Sequence, residues 1–298
     1  MAQRIVLSGA SGLIGRALVA ALRERGDEVH LLVRREPRGA DEHRWDPEGG
    51  RLDPGVLAGA DAVISLNGAS VGRMPWTASY RERLRSSRID ATRVLADAVR
   101  GLGSEAPGAW LSASAVGFYG DRPGEALDEA SAAGDTFLAR LCVEWEAEAL
   151  AAADATRVAL LRTAPVIHPE GVLKPMIALT RFGVGGPLGG GRQIWPWISL
   201  TDEVRGTLHA LDHGLSGPVN LTGPTASTAN GIGRELAGRL RRPFLVPAPR
   251  FALELVLGRD ATESLLTSDA NVRPEALLGS GFAFEHETPR AAIAEALG

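Results

Sequence analysis

The amino-acid sequence predicts an α/β fold in which a doubly wound parallel sheet is followed by a smaller C-terminal lobe. Short apolar runs alternate with stretches of helical periodicity over the first 165 residues, and this alternation is typical of parallel sheets crossed by helices. A glycine-rich turn joins the first apolar run to the first helical stretch. Beyond Arg162 the regular alternation of strands and helices ends, and residues 183–191 contain six glycines.

The individual elements follow from periodicity. Strands are predicted from short apolar runs at Arg4–Ser8, Glu28–Val33, Asp61–Leu66, Ala109–Ala113, Arg157–Leu161 and Pro218–Leu221. Helices are predicted from apolar residues at helical spacing from Leu13 to a stop at Gly26, at about 79–101, at about 137–152, after Asn230, at Phe251–Leu257 and from Pro289. The first strand, helix and second strand form one unit, for which a right-handed crossover is expected.

The bulk composition predicts an ordinary globular protein. Of 298 residues, 45% are hydrophobic and 23% are charged, close to the average of globular domains. The net charge of −4 offers no field that would gather nucleic acid or an acidic membrane surface. The single cysteine, Cys142, excludes an internal disulfide, and the apolar run at the N-terminus is too short for a signal segment or a membrane span. We expect a cytoplasmic protein.

The turn after the first strand is a glycine-rich loop, Gly9-Ala10-Ser11-Gly12-Leu13-Ile14-Gly15. Such a turn lets the backbone approach a pyrophosphate closely, while the helix N-terminus offers unpaired N–H groups and a positive dipole end. An ordinary tight turn is the alternative, because glycine spacing alone is weak evidence. The position of the loop between a strand and a helix favours a Rossmann dinucleotide-binding domain.

The end of the second strand carries two arginines, Arg34 and Arg35, with no acid before Glu36. An acidic residue at this place would bind the ribose 2′-hydroxyl of NAD, whereas an arginine accommodates the 2′-phosphate of NADP. A guanidinium can hold a phosphate through two hydrogen bonds. The pair therefore predicts NADP(H) as the cofactor, with solvated surface arginines as the alternative.

Longer segments resemble the extended short-chain dehydrogenase/reductase superfamily, and within it a nucleoside-diphosphate-sugar epimerase-like branch with an extra C-terminal domain. The segments that carry the resemblance are SGASGLIG from Ser8, WDP from Trp45, DAVISLNGAS from Asp61, SSRIDATRVL from Ser86, SASAVGFYG from Ser112, GDTFLARLCVEWEAEA from Gly134, LLRTAPVI from Leu160 and GVGGPLGGGRQIWPWISLTD from Gly183. The tail RRPFLVPAPRFALELVLG and the later NVRPEALLGSGFAFEH resemble the extra domain. The resemblance implies an NADP-binding Rossmann domain at 1–165, to which 196–224 returns, and at 166–298 mainly a substrate lobe with the branch's C-terminal extension.

The resemblance also implies roles for individual residues. Those that would surround the cofactor are Gly9, Ser11, Gly12, Leu13, Ile14 and Gly15 at the phosphates, Arg34 and Arg35 at the 2′-phosphate, Leu66, Asn67 and Gly68 at the adenosine end, and Ser112, Arg162 and Val166 at the nicotinamide. Those that would line the substrate cleft are Gln193, Trp195 and Trp197. Core packing between the lobes is the alternative for the two tryptophans, because large aromatic side chains serve both uses.

The chain departs from the catalytic pattern of this superfamily. Redox members place a tyrosine four residues before a lysine, whose ammonium lowers the pKa of the phenol. Here those positions hold Leu138 and Cys142. The one lysine, Lys174, stands in no such arrangement with either tyrosine, and arginine is a poor substitute in this role. The sequence therefore predicts atypical catalytic residues or none.

Ser114 and Tyr119 are the candidates for catalysis, because both follow the strand Ala109–Ala113 at the edge where ligands bind in open α/β sheets. Tyr119 would need a nearby positive charge, for which Arg88 and the cofactor are the expected sources. The alternative is that Tyr119 packs in a turn while Ser114 caps a backbone group. Cys142 is expected to be a small buried residue rather than a nucleophile.

The combined expectation is an NADP(H)-dependent oxidoreductase or epimerase-like enzyme that acts on a carbonyl or hydroxyl of a small, nucleotide-sugar-like substrate. The alternative is a non-catalytic NADP(H)-binding redox sensor or regulatory module. No metal is expected, because His209 and His213 have ligand spacing but lack an evident third ligand. Beyond a small-molecule substrate we expect no nucleic-acid or membrane partner, and a homodimer is left open.

Overall fold

The computed structural model of the protein describes residues 2–298. Its strands are β1 (Arg4–Ser8), β2 (Glu28–Val33), β3 (Glu42–Arg44), β4 (Ala62–Ser65), β5 (Ala109–Ala115), β6 (Ala126–Leu127), β7 (Arg157–Thr163), β8 (Val166–Ile167), β9 (Ile198–Ser199), β10 (Gly217–Leu221) and β11 (Asn271–Val272). Its α-helices are α1 (Leu13–Glu24), α2 (Ala78–Gly101), α3 (Phe137–Leu150), α4 (Leu173–Arg181), α5 (Leu200–Asp212), α6 (Ala229–Arg239), α7 (Arg250–Leu257), α8 (Arg259–Thr262), α9 (Glu275–Gly279) and α10 (Pro289–Leu297). No helix in the described range is both long and apolar enough to cross a bilayer.

Seven of these strands form one parallel sheet in the order β3-β2-β1-β4-β5-β7-β10. The chain first adds strands on one side of β1 and then crosses to the other side, so the order reverses between β1 and β4. In open sheets the ligand crevice lies at the carboxyl ends of the strands where the order reverses. The predicted doubly wound Rossmann fold is confirmed, and the glycine-rich loop lies at this reversal.

Alternating side chains of the central strands bury both faces of the sheet. On β1, Ile5 and Leu7 belong to one apolar cluster, while Val6 belongs to another. Helices α1 and α5 contact each other on the first face, and α2 and α3 contact each other on the second. Strands covered on both faces consist of nearly continuous apolar residues, and for this reason the central strands can be predicted from short apolar runs.

The predicted strands and helices agree with the observed ones to within two residues at each end that was specified. No element is predicted for α4, α5, α8 or α9, or for the short strands β3, β6, β8, β9 and β11. Helix α5 is obscured because its first turn carries Asp202 and Glu203, which read as surface charges although both are buried. The five strands have only two or three residues each, which is shorter than a run that periodicity can detect.

The second lobe is built around its own apolar cluster. Trp195 and Trp197 pack there with buried residues of α4, α6 and α10. Strand β8, just after the sheet strand β7, pairs with β9, just before α5. The chain therefore leaves the sheet and returns to it at one point, through two short strands that pair with each other. Helix α7 differs from the other α-helices because none of its residues is buried.

Candidate dinucleotide site and buried polar network

The glycine-rich loop has two glycines that the protein itself requires. Gly9 has a φ of +84°, which favours glycine, and a Cβ there would lie 2.6 Å from the carbonyl oxygen of Leu66. A Cβ at Gly15 would overlap the carbonyl oxygen of Gly9. The backbone of the loop therefore lies close to Leu66 after β4, and the first turn of α1 lies close to Gly9, with no space for a side chain at either glycine. The loop therefore has its shape before any ligand binds.

Gly12 is different, because nothing within the protein requires a glycine there. Its backbone is extended, with φ −74° and ψ 171°, and a Cβ would make an ordinary contact of 3.4 Å with the carbonyl oxygen of Gly9. Gly12 is also the N-cap of α1, which has no side-chain cap and no acidic residue in its first turn. The N–H groups at this helix N-terminus are thus available for an anionic ligand that approaches the backbone closely.

The floor of the crevice is formed where β1 and β4 end side by side. Ser8 donates a hydrogen bond to the side-chain oxygen of Asn67 at 2.5 Å, and the N–H of Leu66 donates to the carbonyl of Ser8 at 3.0 Å. A Cβ at Gly68 would lie 2.8 Å from the guanidinium carbon of Arg88. The structure therefore brings the predicted residues 66–68 next to the glycine-rich loop.

Arg88 is a partly buried cation beside this floor. Its guanidinium donates to the carbonyls of Leu84 and Ala69 at 2.9 and 3.2 Å and lies 5.2 Å above the ring of Trp145. Burial lowers the pKa of Arg88 below that of an exposed arginine. Among residues 2–298 it has no carboxylate partner within ion-pair distance. It places positive charge at the carboxyl end of β4.

The two arginines after β2 differ in their surroundings. Arg35 makes two hydrogen bonds to the carboxylate of Glu42, at 2.7 and 2.5 Å, and this contact together with the N–H of Arg38 lowers the pKa of Glu42 to about 2. Arg34 is exposed and has no ion-pair partner in the described chain. Of the two predicted 2′-phosphate ligands, Arg34 is thus the one whose guanidinium is not already held by a carboxylate.

A buried polar network lies between α3 and the strands β5, β7 and β10. Arg162 makes two hydrogen bonds of 2.8 Å to the carboxylate of Glu146, and the two side chains are only 3% and 7% exposed. The guanidinium also stacks on Phe118, 3.5 Å from the ring centre. Burial of an ion pair is tolerated when each charge is fully hydrogen-bonded. Loss of any one of these side chains would therefore leave a buried polar group of another without its partner.

Both predicted catalytic residues are members of this network. The Tyr119 hydroxyl donates to Asn220 at 2.7 Å and accepts from Arg162 at 2.9 Å, and burial raises the pKa of the phenol. Its side chain is completely buried, so it does not reach the crevice. Ser114, which is 4% exposed, donates to Glu146 at 2.6 Å. The structure argues against Tyr119 as the acid, and the charge beside it belongs to Arg162 rather than Arg88.

All three residues predicted to face the nicotinamide are also buried. Arg162 is committed to Glu146 and Tyr119, and so it does not cover a ligand directly. Ser112 is 1% exposed, and its hydroxyl faces Ser65 within the sheet at 3.5 Å. Val166, on β8, is 8% exposed. For these residues the implied cofactor contact is at most indirect in this conformation.

The predicted substrate residues lie in the core of the second lobe. Trp197 is 1% exposed and donates from its indole to the carbonyl of Thr225 at 2.8 Å. Trp195 and Gln193, each 8% exposed, both donate to the carbonyl of Leu266, at 3.2 and 2.6 Å. The core interpretation of the tryptophans is favoured. The hydrogen bonds of Gln193 and Trp195 join the 193–197 segment to the helical stretch Glu263–Thr267.

The remaining candidates are explained by packing. Cys142 is buried, and this burial raises the pKa of its thiol to about 12, which is incompatible with a thiolate nucleophile at neutral pH. His209 and His213 stack on each other with 3.8 Å between ring centres, and His209 hydrogen-bonds Ser280. Within residues 2–298, no group of three potential ligands is arranged to hold a metal ion.

Among the buried acids that sequence reasoning missed, Glu203 at the start of α5 has a carboxylate oxygen without a partner in the described chain. Its side chain is 1% exposed; Oε1 accepts from Thr163 at 2.8 Å, and Oε2 has no partner within the described chain. Burial raises the pKa of Glu203 to about 8. Thr163 is the last residue of β7, so this carboxyl lies near the ligand-binding edge of the sheet. An acid in the first turn of a helix normally reads as a surface charge, and no sequence signal separates the two cases.

Comparison with known families supports the interpretation of the fold. Residues 5–222 match the NAD dependent epimerase/dehydratase family, and residues 248–296 match a domain of unknown function, DUF1731. The epimerase family protein ML0860 of Mycobacterium leprae is 43% identical over 296 residues, which cover 98% of this chain and 94% of that protein. The human epimerase family protein SDR39U1 is 31% identical and covers 98% of this chain and 99% of that protein.

Solved structures give the same result. The crystal structure of human SDR39U1, isoform 2, with NADPH superposes with a TM-score of 0.87 at 29% identity and covers 98% of both chains. A nucleoside-diphosphate sugar epimerase from Corynebacterium glutamicum has a TM-score of 0.80 at 32% identity, with 100% of this chain matching 59% of that one. The chain belongs to the NAD-dependent epimerase/dehydratase family of the extended short-chain dehydrogenase/reductase superfamily, and it carries a C-terminal DUF1731 domain.

Proposed function

We propose that this protein binds NADP(H) in the crevice between the glycine-rich loop and residues 66–68. The observation that carries this proposal is Gly12, a position where the protein has room for a side chain and yet has none. A glycine at this place allows a pyrophosphate to approach the backbone. The uncapped N-terminus of α1 supplies N–H groups for the same phosphates.

The preference for NADP(H) over NAD(H) rests on Arg34. Its guanidinium is exposed and has no carboxylate partner among residues 2–298, whereas Arg35 is bound to Glu42. A phosphate on the ribose 2′ position would satisfy Arg34 through paired hydrogen bonds. The human relative, whose structure contains NADPH, supports this preference.

The reaction that suits the site is oxidation and reduction of a carbonyl or hydroxyl group, with the nicotinamide supplying or accepting a hydride. A small, nucleotide-sugar-like substrate is the favoured class, because the relative from Corynebacterium glutamicum is described as a nucleoside-diphosphate sugar epimerase. Ser114 is the remaining predicted catalytic residue, at the carboxyl end of β5, and Glu146 holds its hydroxyl. Loss of the Glu146 contact on substrate binding would release that hydroxyl.

A second candidate function is that of a non-catalytic NADP(H)-binding sensor. The observation that favours it is the buried network, which uses the hydroxyls of both Ser114 and Tyr119. Leu138 and Cys142 stand where the superfamily's acid and its lysine are expected. A protein of this kind would bind the cofactor and change its affinity for a partner without turnover.

Calorimetry with NADPH and NADH tests the binding proposal first. We expect NADPH to bind more tightly, and Arg34→Asp with Arg35→Ser to weaken NADPH more than NADH; no binding of either cofactor would refute the proposal. NADPH consumption across carbonyl compounds and nucleotide sugars then separates the two functions. Turnover that falls in Ser114→Ala but persists in Tyr119→Phe supports the enzyme, while tight binding without any turnover supports the sensor.

A further inference from the structure

The second lobe exposes large apolar side chains that the dinucleotide site does not use. Five of them form what we call the apolar patch: Phe182 (85% exposed), Leu245 (76%), Phe251 (74%), Leu255 (86%) and Val256 (69%). Exposed apolar side chains on other parts of the described surface, such as Val143 and Leu278, expose less than half of their area. A concentration of exposed apolar surface marks an interaction site.

Main-chain hydrogen bonds join the segments that carry the apolar patch. The N–H of Leu245 donates to the carbonyl of Gly185 at 2.9 Å, three residues after Phe182. The N–H of Ala248 donates to the carbonyl of Pro187 at 2.8 Å, and α7 begins two residues later. The segments that carry these side chains are therefore neighbours in the fold, although they are far apart in the sequence.

Helix α7 gains little support from the core, because Leu257 is its one residue that packs against an apolar cluster of the described chain. None of its eight residues is buried, although Phe251, Leu255 and Val256 are large and apolar. An isolated helix of this length is marginal in water, because most helical stability comes from packing of an apolar face. The apolar face of α7 therefore lacks the partner that would stabilise it within the described chain.

The charges beside the patch determine what that partner is. Residues 239–250 contain four arginines and no acid, in a chain whose net charge is −4. Of the four, Arg250 is paired with Glu254 at 2.7 Å. Arg241 and Arg242 lie within four residues of Leu245, which limits their separation to about 14 Å even in a fully extended chain. Neither has an ion-pair partner among residues 2–298, nor does Arg181 next to Phe182. The patch is therefore bordered by unneutralised positive charge.

We infer that this face docks on a membrane surface that contains anionic lipid, with the apolar side chains inserted and the arginines at the headgroups. Protruding side chains beside basic residues fit a fluid interface, which has no fixed shape. A second copy of this chain would bring a second set of unpaired arginines to the same interface, which electrostatic complementarity disfavours. A rigid protein partner needs recesses that match these side chains in shape, whereas a fluid interface adapts to them. The overall negative charge does not prevent docking, because charges beyond about 8 Å are screened at physiological salt.

Co-sedimentation of the full chain with vesicles tests this inference independently of the cofactor. The probes are vesicles of pure phosphatidylcholine and vesicles of phosphatidylcholine mixed with phosphatidylglycerol. We expect binding to the anionic vesicles that weakens with salt. The variant Arg241→Glu with Arg242→Glu should weaken binding at least about tenfold, because each basic residue near the surface contributes about fivefold. Phe251→Ser with Leu255→Ser should weaken it by at least as much.

Matched controls are Arg83→Glu with Arg140→Glu for charge, and Val143→Ser with Leu278→Ser for apolar surface. Both controls should bind as the unchanged chain does, and circular dichroism confirms that every variant is folded. Failure of the unchanged chain to bind anionic vesicles would overturn the inference. So would equal loss in the patch variants and their controls, or sedimentation velocity showing a dimer that Phe251→Ser with Leu255→Ser dissociates.

Discussion

The glycine-rich loop and the buried polar network lie at the same end of the sheet, but they are constructed in opposite ways. The loop takes its shape from main-chain contacts among neighbouring residues, as between Gly9 and Gly15. The network joins side chains that are far apart in the sequence, such as Tyr119 and Asn220. The first is rigid without a ligand and leaves its N–H groups available. The second satisfies its own donors and leaves few for a substrate.

This difference suggests that cofactor binding and catalysis can be lost separately in this fold. Substitutions in the loop should change ligand affinity, whereas substitutions in the network should first change stability. The following four predictions break or sharpen that distinction, beginning with the largest expected effect.

Removing one partner of the buried ion pair should be the most damaging change. Arg162→Met leaves the carboxylate of Glu146 buried without a counter-charge, so we expect the free energy of unfolding to fall by about 3–5 kcal/mol. Urea denaturation measures this. The control is Arg93→Met, which breaks a half-exposed pair with Glu148 and should cost less than about 1 kcal/mol. Equal losses in the two variants would contradict the prediction.

Glu203 should make the protein less stable as the pH rises. The pKa of this carboxyl is about 8 in the folded state and about 4.3 in an unfolded chain. Between these values the unfolded state releases a proton that the folded state retains, so the free energy of unfolding falls with pH and levels off above 8. Glu203→Gln should remove this fall and stabilise the protein by about 2–4 kcal/mol at pH 8, with little gain near pH 4.

The measurement is urea denaturation from pH 4 to pH 9, with the exposed Glu82→Gln as the control. That control should follow the pH profile of the unchanged protein. If the pH profile of Glu203→Gln also runs parallel to that of the unchanged protein, Glu203 is already ionised in the folded state and the prediction is wrong.

Two alanine substitutions in the loop should affect different properties, one the stability of the protein and the other its affinity for NADPH. Gly15→Ala forces a Cβ against the carbonyl of Gly9, so we expect about 1–3 kcal/mol of destabilisation, as for overpacking. Gly12→Ala should change stability by less than about 1 kcal/mol, yet weaken NADPH at least about tenfold by blocking the approach of the pyrophosphate. Thermal melts and calorimetry measure the two effects. Unchanged NADPH affinity in Gly12→Ala would remove the main support for the proposed site.

The smallest effect should separate the two arginines after β2. Arg34→Ser should weaken NADPH by about tenfold and leave NADH unchanged, because only NADPH carries the 2′-phosphate. Arg35→Ser should have a weaker effect, since that guanidinium is already bound to Glu42. Calorimetry with both cofactors measures this. A larger loss in Arg35→Ser would mean that the contact with Glu42 is exchanged for the phosphate.

The elements that could be predicted are those with a local signal. The sheet strands β1, β2, β4, β5, β7 and β10 and the glycine-rich loop follow from continuous apolar runs and from glycine spacing. Helix α5 could not be predicted in this way, because its buried Asp202 and Glu203 interrupt the apolar pattern. The roles of Glu146 and Arg162 depend on partners in other elements, and no local pattern reveals them.

Strand β10 has a consequence for how this molecule is made. It forms one edge of the sheet, beside β7, and supplies Asn220, whose side-chain oxygen accepts a hydrogen bond from the Tyr119 hydroxyl. The chain reaches this strand only after passing through β8, α4, β9 and α5. During synthesis, an emerging N-terminal half therefore presents β7 as an open edge until Leu221 has left the ribosome. Shortened forms of the protein that stop before β10 should associate through that edge rather than remain separate molecules.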